Sequence, residues 1–234
     1  DMPAGARPIL ISGGAFIDPV FENIRFEGCY STQMITATPR ISSATDANWR
    51  FSGVKANDCL GTQATLISII PSNGASGTYL KGGRVENCTF NSQSVSLGSS
   101  VSNTGRFLFG DYLQDWTISD CFWKGYGVNF LYVQHGGANL KIVGCEATNL
   151  NTALGVVVDA TNVAGLLIDK TVVAQSNTGS PWLSVDRTSS NVRIGDVDLS
   201  QSARKTYSVG NQPIATKANS YQSREEWLSS APSA

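Results

Sequence analysis

The sequence predicts an all-β solenoid of about seven coils. Three observations carry that expectation: a turn-rich, charge-poor composition, a set of regularly spaced cysteines, and alternating apolar residues just before each of them. Ser, Thr, Asn and Gly make up 85 of 234 residues. These are weak helix formers, and Lys and Glu are sparse, so long surface helices are not expected. Seventeen basic residues against eighteen acidic ones leave a net charge of -1, which argues against a nucleic-acid partner. No apolar run approaches the roughly 18 residues of a membrane span.

The repeat is read from the cysteines. Cys29, Cys59, Cys88, Cys121 and Cys145 are separated by 30, 29, 33 and 24 residues. Thr171 and Val197 continue the series at intervals of 26. Periods of this size mark stacked repeats. In the first copy, Ile24 and Phe26 precede Cys29, and in the second Val54 and Ala56 precede Cys59. In the third to fifth copies the pairs are Gly83 and Val85, Trp116 and Ile118, and Leu140 and Ile142. Leu166 and Ile168 precede Thr171, and Val192 and Ile194 precede Val197. Alternation at a spacing of two is strand periodicity with one buried face.

Each strand then meets a bend. The residue before the anchor is Gly28, Asp58, Asn87, Asp120, Gly144, Lys170 or Asp196. Six of these seven are Gly, Asn or Asp, the types that best tolerate left-handed backbone. A further strand recurs upstream, as Phe107-x-Phe109, Leu131-x-Val133, Val156-x-Val158 and Leu183-x-Val185. Two or more short strands and a corner per copy describe one coil. Stacking coils about 4.8 Å apart buries a continuous core. The expected fold is therefore a single-stranded, right-handed parallel β-helix over residues 1–200.

The motif Φ-x-Φ-x-[NDG]-C is clearest in Arg84-Val85-Glu86-Asn87-Cys88-Thr89-Phe90 and Thr117-Ile118-Ser119-Asp120-Cys121-Phe122. Over residues 8–200 the chain resembles the right-handed β-helix superfamily, which includes pectate lyases and phage tailspikes. Leucine-rich repeats are the rival architecture, but their Leu-x-x-Leu-x-Leu signature and helical half are missing. The resemblance implies a tailspike-like protein that recognises, and in some members depolymerises, a host surface polysaccharide. It further implies a homotrimer carried on a virion and made in the host cytoplasm, or an extracellular protein. A structural spike or scaffold, and a bacterial polysaccharide lyase or hydrolase, are the alternatives. No cofactor is implied. Pectate lyases hold calcium with clustered Asp residues, and here the only outward Asp-x-Asp is Asp196-x-Asp198.

The five cysteines are expected to form one buried column of free thiols, because Thr171 and Val197 replace them with groups of similar size. Outside the core, Arg25, Lys55, Arg84, Thr117, Lys141, Leu167 and Arg193 form one row. An acidic row beside it holds Glu27, Glu86 and Asp169. These rows read as a solvated face with cross-strand charge pairs, the alternative being a groove for an acidic polysaccharide.

The candidate chemistry lies on the upstream strand. Asp159 and Asp186 are one coil length apart and are expected to stack about 5 Å from one another. That is near the carboxylate spacing of retaining glycosidases, with one pKa raised by its neighbour. They are the catalytic candidates. Arg106, Asp111, Tyr132, His135 and Trp182 are the carbohydrate-binding candidates, rings for sugar faces and Arg106 for an acidic group. No metal set is expected, since there is one histidine and no pair of cysteines at metal-ligand spacing. Residues 201–234 read as a cap or linker, with a short amphipathic helix near Arg224–Leu228. Pro71–Thr78 and Ser92–Gly105 read as loops between coils.

Overall fold

The computed structural model describes residues 7–14, 16, 18–29, 33–41, 46–57, 59, 64–75, 78–92, 105–151, 155–209, 212–215, 221–222 and 226–228. These residues contain strands and no helix. Seven coils follow one another, each with three strands. The first holds β1 (Ile9–Gly13), β2 (Val20–Glu22) and β3 (Arg25–Glu27). The second holds β4 (Gln33–Pro39), β5 (Asp46–Ser52) and β6 (Lys55–Asn57). The third holds β7 (Thr65–Ile69), β8 (Leu80–Glu86) and β9 (Thr89–Ser92). The fourth holds β10 (Arg106–Gly110), β11 (Leu113–Ser119) and β12 (Phe122–Gly125). The fifth holds β13 (Asn129–Val133), β14 (Gly137–Val143) and β15 (Glu146–Asn149). The sixth holds β16 (Val158–Ala160), β17 (Val163–Asp169) and β18 (Thr171–Gln175). The seventh holds β19 (Leu183–Val185), β20 (Ser190–Ile194) and β21 (Val197–Asp198).

Every third strand joins the same parallel sheet, so the chain is a parallel β-helix. The first sheet runs from β1 to β19 and gains β22 (Thr206–Val209), again parallel. The second runs from β2 to β20 and the third from β3 to β21. At the C-terminal end the direction reverses. β23 (Gln212–Ala215) pairs antiparallel with β22, β24 (Tyr221–Gln222) with β21, and β25 (Glu226–Leu228) with β20. Each sheet thus receives an antiparallel strand at its C-terminal edge, which satisfies backbone groups that an open edge leaves unpaired. Glu226–Leu228 was expected within a short helix and is a strand instead, because an edge offers its N–H and C=O groups ready partners. Residues 223–225 lie outside the described residues, as do residues 93–104 of the Ser92–Gly105 loop.

The core is a set of columns that run up the axis. In the second sheet Trp49, Gly83, Trp116, Leu140, Leu166 and Val192 share one register column. Phe51, Val85, Ile118, Ile142, Ile168 and Ile194 form the next. All but Gly83 in these two columns are buried hydrophobics. Gly83 makes room for its neighbour: a Cβ there would lie 2.2 Å from two ring carbons of Trp116.

The cysteine column is shorter than the spacing suggested. Cys88, Cys121 and Cys145 do stack, with Thr171 and Val197 above them. The positions below them are Val54 and Ile24, not Cys59 and Cys29, because Lys55 pairs with Thr89 and Arg25 with Lys55. Cys29 and Cys59 follow β3 and β6, on the third sheet. The motif occurs twice in each of these coils, five residues apart, and the cysteines mark the later copy. The corners there are Asn23 and Gly53, at φ 54° and 63°, in line with Asn87, Asp120, Gly144 and Lys170. Gly28 is also left-handed, at φ 56°, and Asp58 lies outside the described residues. Arg25, Lys55 and Glu27 accordingly leave the rows assigned to them and sit on the third sheet. All five thiols are free. Burial pushes Cys59 up to about 12 and drives Cys121 upward too, so these two thiols are inert packing groups.

Candidate functional site

The outer face of the first sheet gathers most of the candidate residues. Strand alternation and coil register put Phe109, Tyr132, Asp159 and Ser184 in one column. Phe109 had been expected to point inward. The inward positions are instead Phe107 and Leu108, both buried, and the Phe109 ring packs outside against Tyr132 at 5.2 Å between centroids. Arg106 opens β10 beside this column. Its guanidinium lies 4.4 Å from the Tyr132 ring centroid and 5.2 Å from that of Phe109. Its Nε donates to Asn129 Oδ1 at 3.3 Å. A cation held over two rings is attracted by their quadrupoles and is fixed in orientation.

The electrostatics follow from partial burial. Burial lowers the pKa of Arg106, while Tyr132 and the negative charge of Asp159 oppose that shift. Burial also raises Asp159 above its ordinary value, partly offset by a hydrogen bond from Ser184 and by Arg106. Tyr132 is raised by burial and by Asp159. The group is therefore a half-buried cation, a phenol and a carboxylate that retains its proton more readily than an exposed one. It presents donors, acceptors and ring faces on one surface.

The second carboxylate is not part of it in the way expected. Asp159 is opposite Ser184, so Asp186 lies diagonally, two residues further along. Diagonal neighbours are about 7–8 Å apart rather than about 5 Å. Asp186 also faces its own turn. It accepts from Thr188 Oγ1 at 2.5 Å, Ser189 Oγ at 2.6 Å and the Asn162 N–H at 2.8 Å. Burial pushes its pKa up, but these hydroxyl and N–H donors outweigh burial and hold the carboxyl below its usual range. An acid held ionised in this way is a turn organiser.

Two binding candidates are corrected by burial. Trp182 is 0% exposed and belongs to the core. It precedes β19 at the corner into the first sheet, above Val157 and Phe130, so the period-two pattern does not govern where it points. Asp111 is 1% exposed and is bonded to His135. Its Oδ1 accepts the His135 backbone N–H at 2.7 Å, and its Oδ2 lies 2.5 Å from Nδ1. A carboxylate acceptor there favours the tautomer that carries its proton on Nδ1. The His135 ring stacks on Tyr112 at 6.0 Å and its side chain is 53% exposed.

Phe109 and Asn129 are the residues that sequence reasoning missed. Their signal was the register: Arg106 pairs with Asn129, and Phe109 with Tyr132, 23 residues on. Among the described residues, no group of three or more His, Cys, Asp or Glu side chains could hold a metal ion. Compared with protein-family models, curated proteins and solved structures, the chain matches none.

Proposed function

We propose that this protein is a tailspike-like β-helix that recognises a host cell-surface polysaccharide on the outer face of its first sheet. The observation that carries the reading is Arg106 held over the Tyr132 ring beside the half-buried Asp159. Ring faces take the C–H faces of sugars. A guanidinium takes a carboxylate or phosphate, and a carboxyl takes hydroxyls. By the same analogy the protein is a homotrimer on a virion. A retaining hydrolysis is disfavoured, because Asp186 is committed to its turn and lies diagonal to Asp159 rather than directly opposite it.

A glycan array tests recognition. The wild-type protein is expected to bind a restricted set of bacterial surface glycans, and Arg106→Gln is expected to lose those carrying acidic groups. Failure to bind any glycan removes the reading. Release of reducing ends from a bound glycan, abolished by Asp159→Asn, would convert recognition into hydrolysis.

A further inference from the structure

The second sheet carries a separate feature on its outer side. Two cavities of about 440 and 470 Å³ lie end to end and share Asp115 and Thr117. Together they make a groove from the second to the seventh coil. Each has the volume of a small-molecule site. The floor is one register column: Arg50, Arg84, Thr117, Lys141, Leu167 and Arg193. One rung per coil repeats every ~4.8 Å, so the six rungs span about 24 Å.

The wall is set by backbone. Gly82, Asp115, Asn139, Gly165 and Asn191 occupy equivalent places and all have positive φ, between 50° and 98°. A left-handed residue inside a strand kinks it and re-aims its side chain. Repeating the kink in coil after coil makes a trough instead of a flat sheet. The wall is polar and self-bonded, with Asn139 Nδ2 donating to Asp115 Oδ1 at 2.9 Å. The kink lets two residues three apart, such as Leu113 and Trp116, both face the core, and its repetition in register keeps the trough continuous.

The charge of the groove differs from that of the whole chain. Arg50 and Glu86 are joined at 2.7 Å and offset each other. That leaves Arg84 and Lys141 in the lining against the single carboxylate of Asp115. Leu167, between two cations, offers an apolar rung for a sugar ring. The one aromatic residue of the lining, Trp49, is 0% exposed, so no ring is available for stacking bases. A polymer of sugars with acidic substituents meets these features, whereas a nucleic acid lacks its stacking platform.

We propose that this groove is a second binding site, one that takes an extended anionic polysaccharide along the solenoid axis. It goes beyond the first-sheet reading and does not rest on it. Dextran sulfate and neutral dextran share a backbone and differ in charge, so they serve as probes. Wild-type protein is expected to bind dextran sulfate and not dextran. A fragment of eight sugars is expected to bind at least tenfold tighter than one of two. Arg84→Gln with Lys141→Gln is expected to weaken binding at least tenfold. Arg25→Gln with Lys55→Gln removes equal charge from the third sheet and is expected to leave binding unchanged. Equal losses in the two double variants, no binding of dextran sulfate, or tighter binding of poly-uridylate overturns the proposal. An effect of Arg106→Gln alone assigns the binding to the first sheet.

Discussion

Replacing Gly83 with alanine tests the coil register in the core. The added Cβ meets Cδ2 and Cε2 of Trp116 at 2.2 Å, far inside van der Waals contact. Neither side yields easily. Gly83 is paired in register with Trp49 below and Trp116 above. The Trp116 ring is 1% exposed and its Nε1–H donates to Leu80 O at 3.0 Å. Overpacking of this kind costs about 1–3 kcal/mol. If the ring swings away, the lost hydrogen bond adds about 0.5–1.5 kcal/mol. A total near 2–4 kcal/mol corresponds to a fall of roughly 4–16 °C in Tm for a chain of this size. Trp116→Leu removes the opposing ring and is destabilising alone, since a Trp truncated to Ala costs about 3–5 kcal/mol. In that background Gly83→Ala is expected to cost less than about 1 kcal/mol, a coupling of about 1–3 kcal/mol. Denaturant unfolding, followed by circular dichroism, measures all four corners of the cycle. Where unfolding is irreversible, unfolding half-lives replace free energies. A neutral Gly83→Ala, or strict additivity in the double variant, refutes the stacking of these two residues.

Other consequences follow from the same geometry. The folded pKa of Asp159 lies above its ordinary 3.8, so the unfolded chain releases this proton first. Its burden on stability is absent below the unfolded pKa and grows as pH rises through to the folded one. Asp159→Asn is thus expected to raise Tm at pH 7 and to leave it unchanged at pH 3. Cys121 shares its column with Thr171 and Val197, so Cys121→Val is expected to stay within about 1.5 kcal/mol of wild type, and Cys121→Asp to prevent folding. A thiol reagent on native protein is expected to label half-buried Cys29 first and the four buried thiols only after unfolding. Trp182→Ala is expected to cost about 3–5 kcal/mol, and a change in glycan binding without a change in stability would return Trp182 to the surface.

The sequence made the stacked coils legible because each coil repeats an alternating strand and a left-handed corner. Asn87, Asp120 and Gly144 were read correctly for that reason. The third sheet was harder to see. β3 and β6 are three residues long and bury one side chain each, Phe26 and Ala56, which is too little for a period to register. That shortness also let Cys29 and Cys59 pass for members of the thiol column. On the site, Arg106 and Tyr132 were visible as polar and aromatic residues at outward spacing. The burial of Trp182 was not, because a corner residue escapes the strand period. The Asp111–His135 pairing joins residues 24 apart at a corner, and nothing local announces it.

Arg106 over Tyr132 beside Asp159 is the surface on which glycan recognition depends, and calorimetric titration of an array-positive glycan tests it directly. Tyr132→Ala is expected to weaken binding by at least tenfold while leaving the unfolding transition within about 1 kcal/mol of wild type, as for a partly exposed ring outside the core. A Kd unchanged by Tyr132→Ala would place the glycan elsewhere on the solenoid and contradict the account.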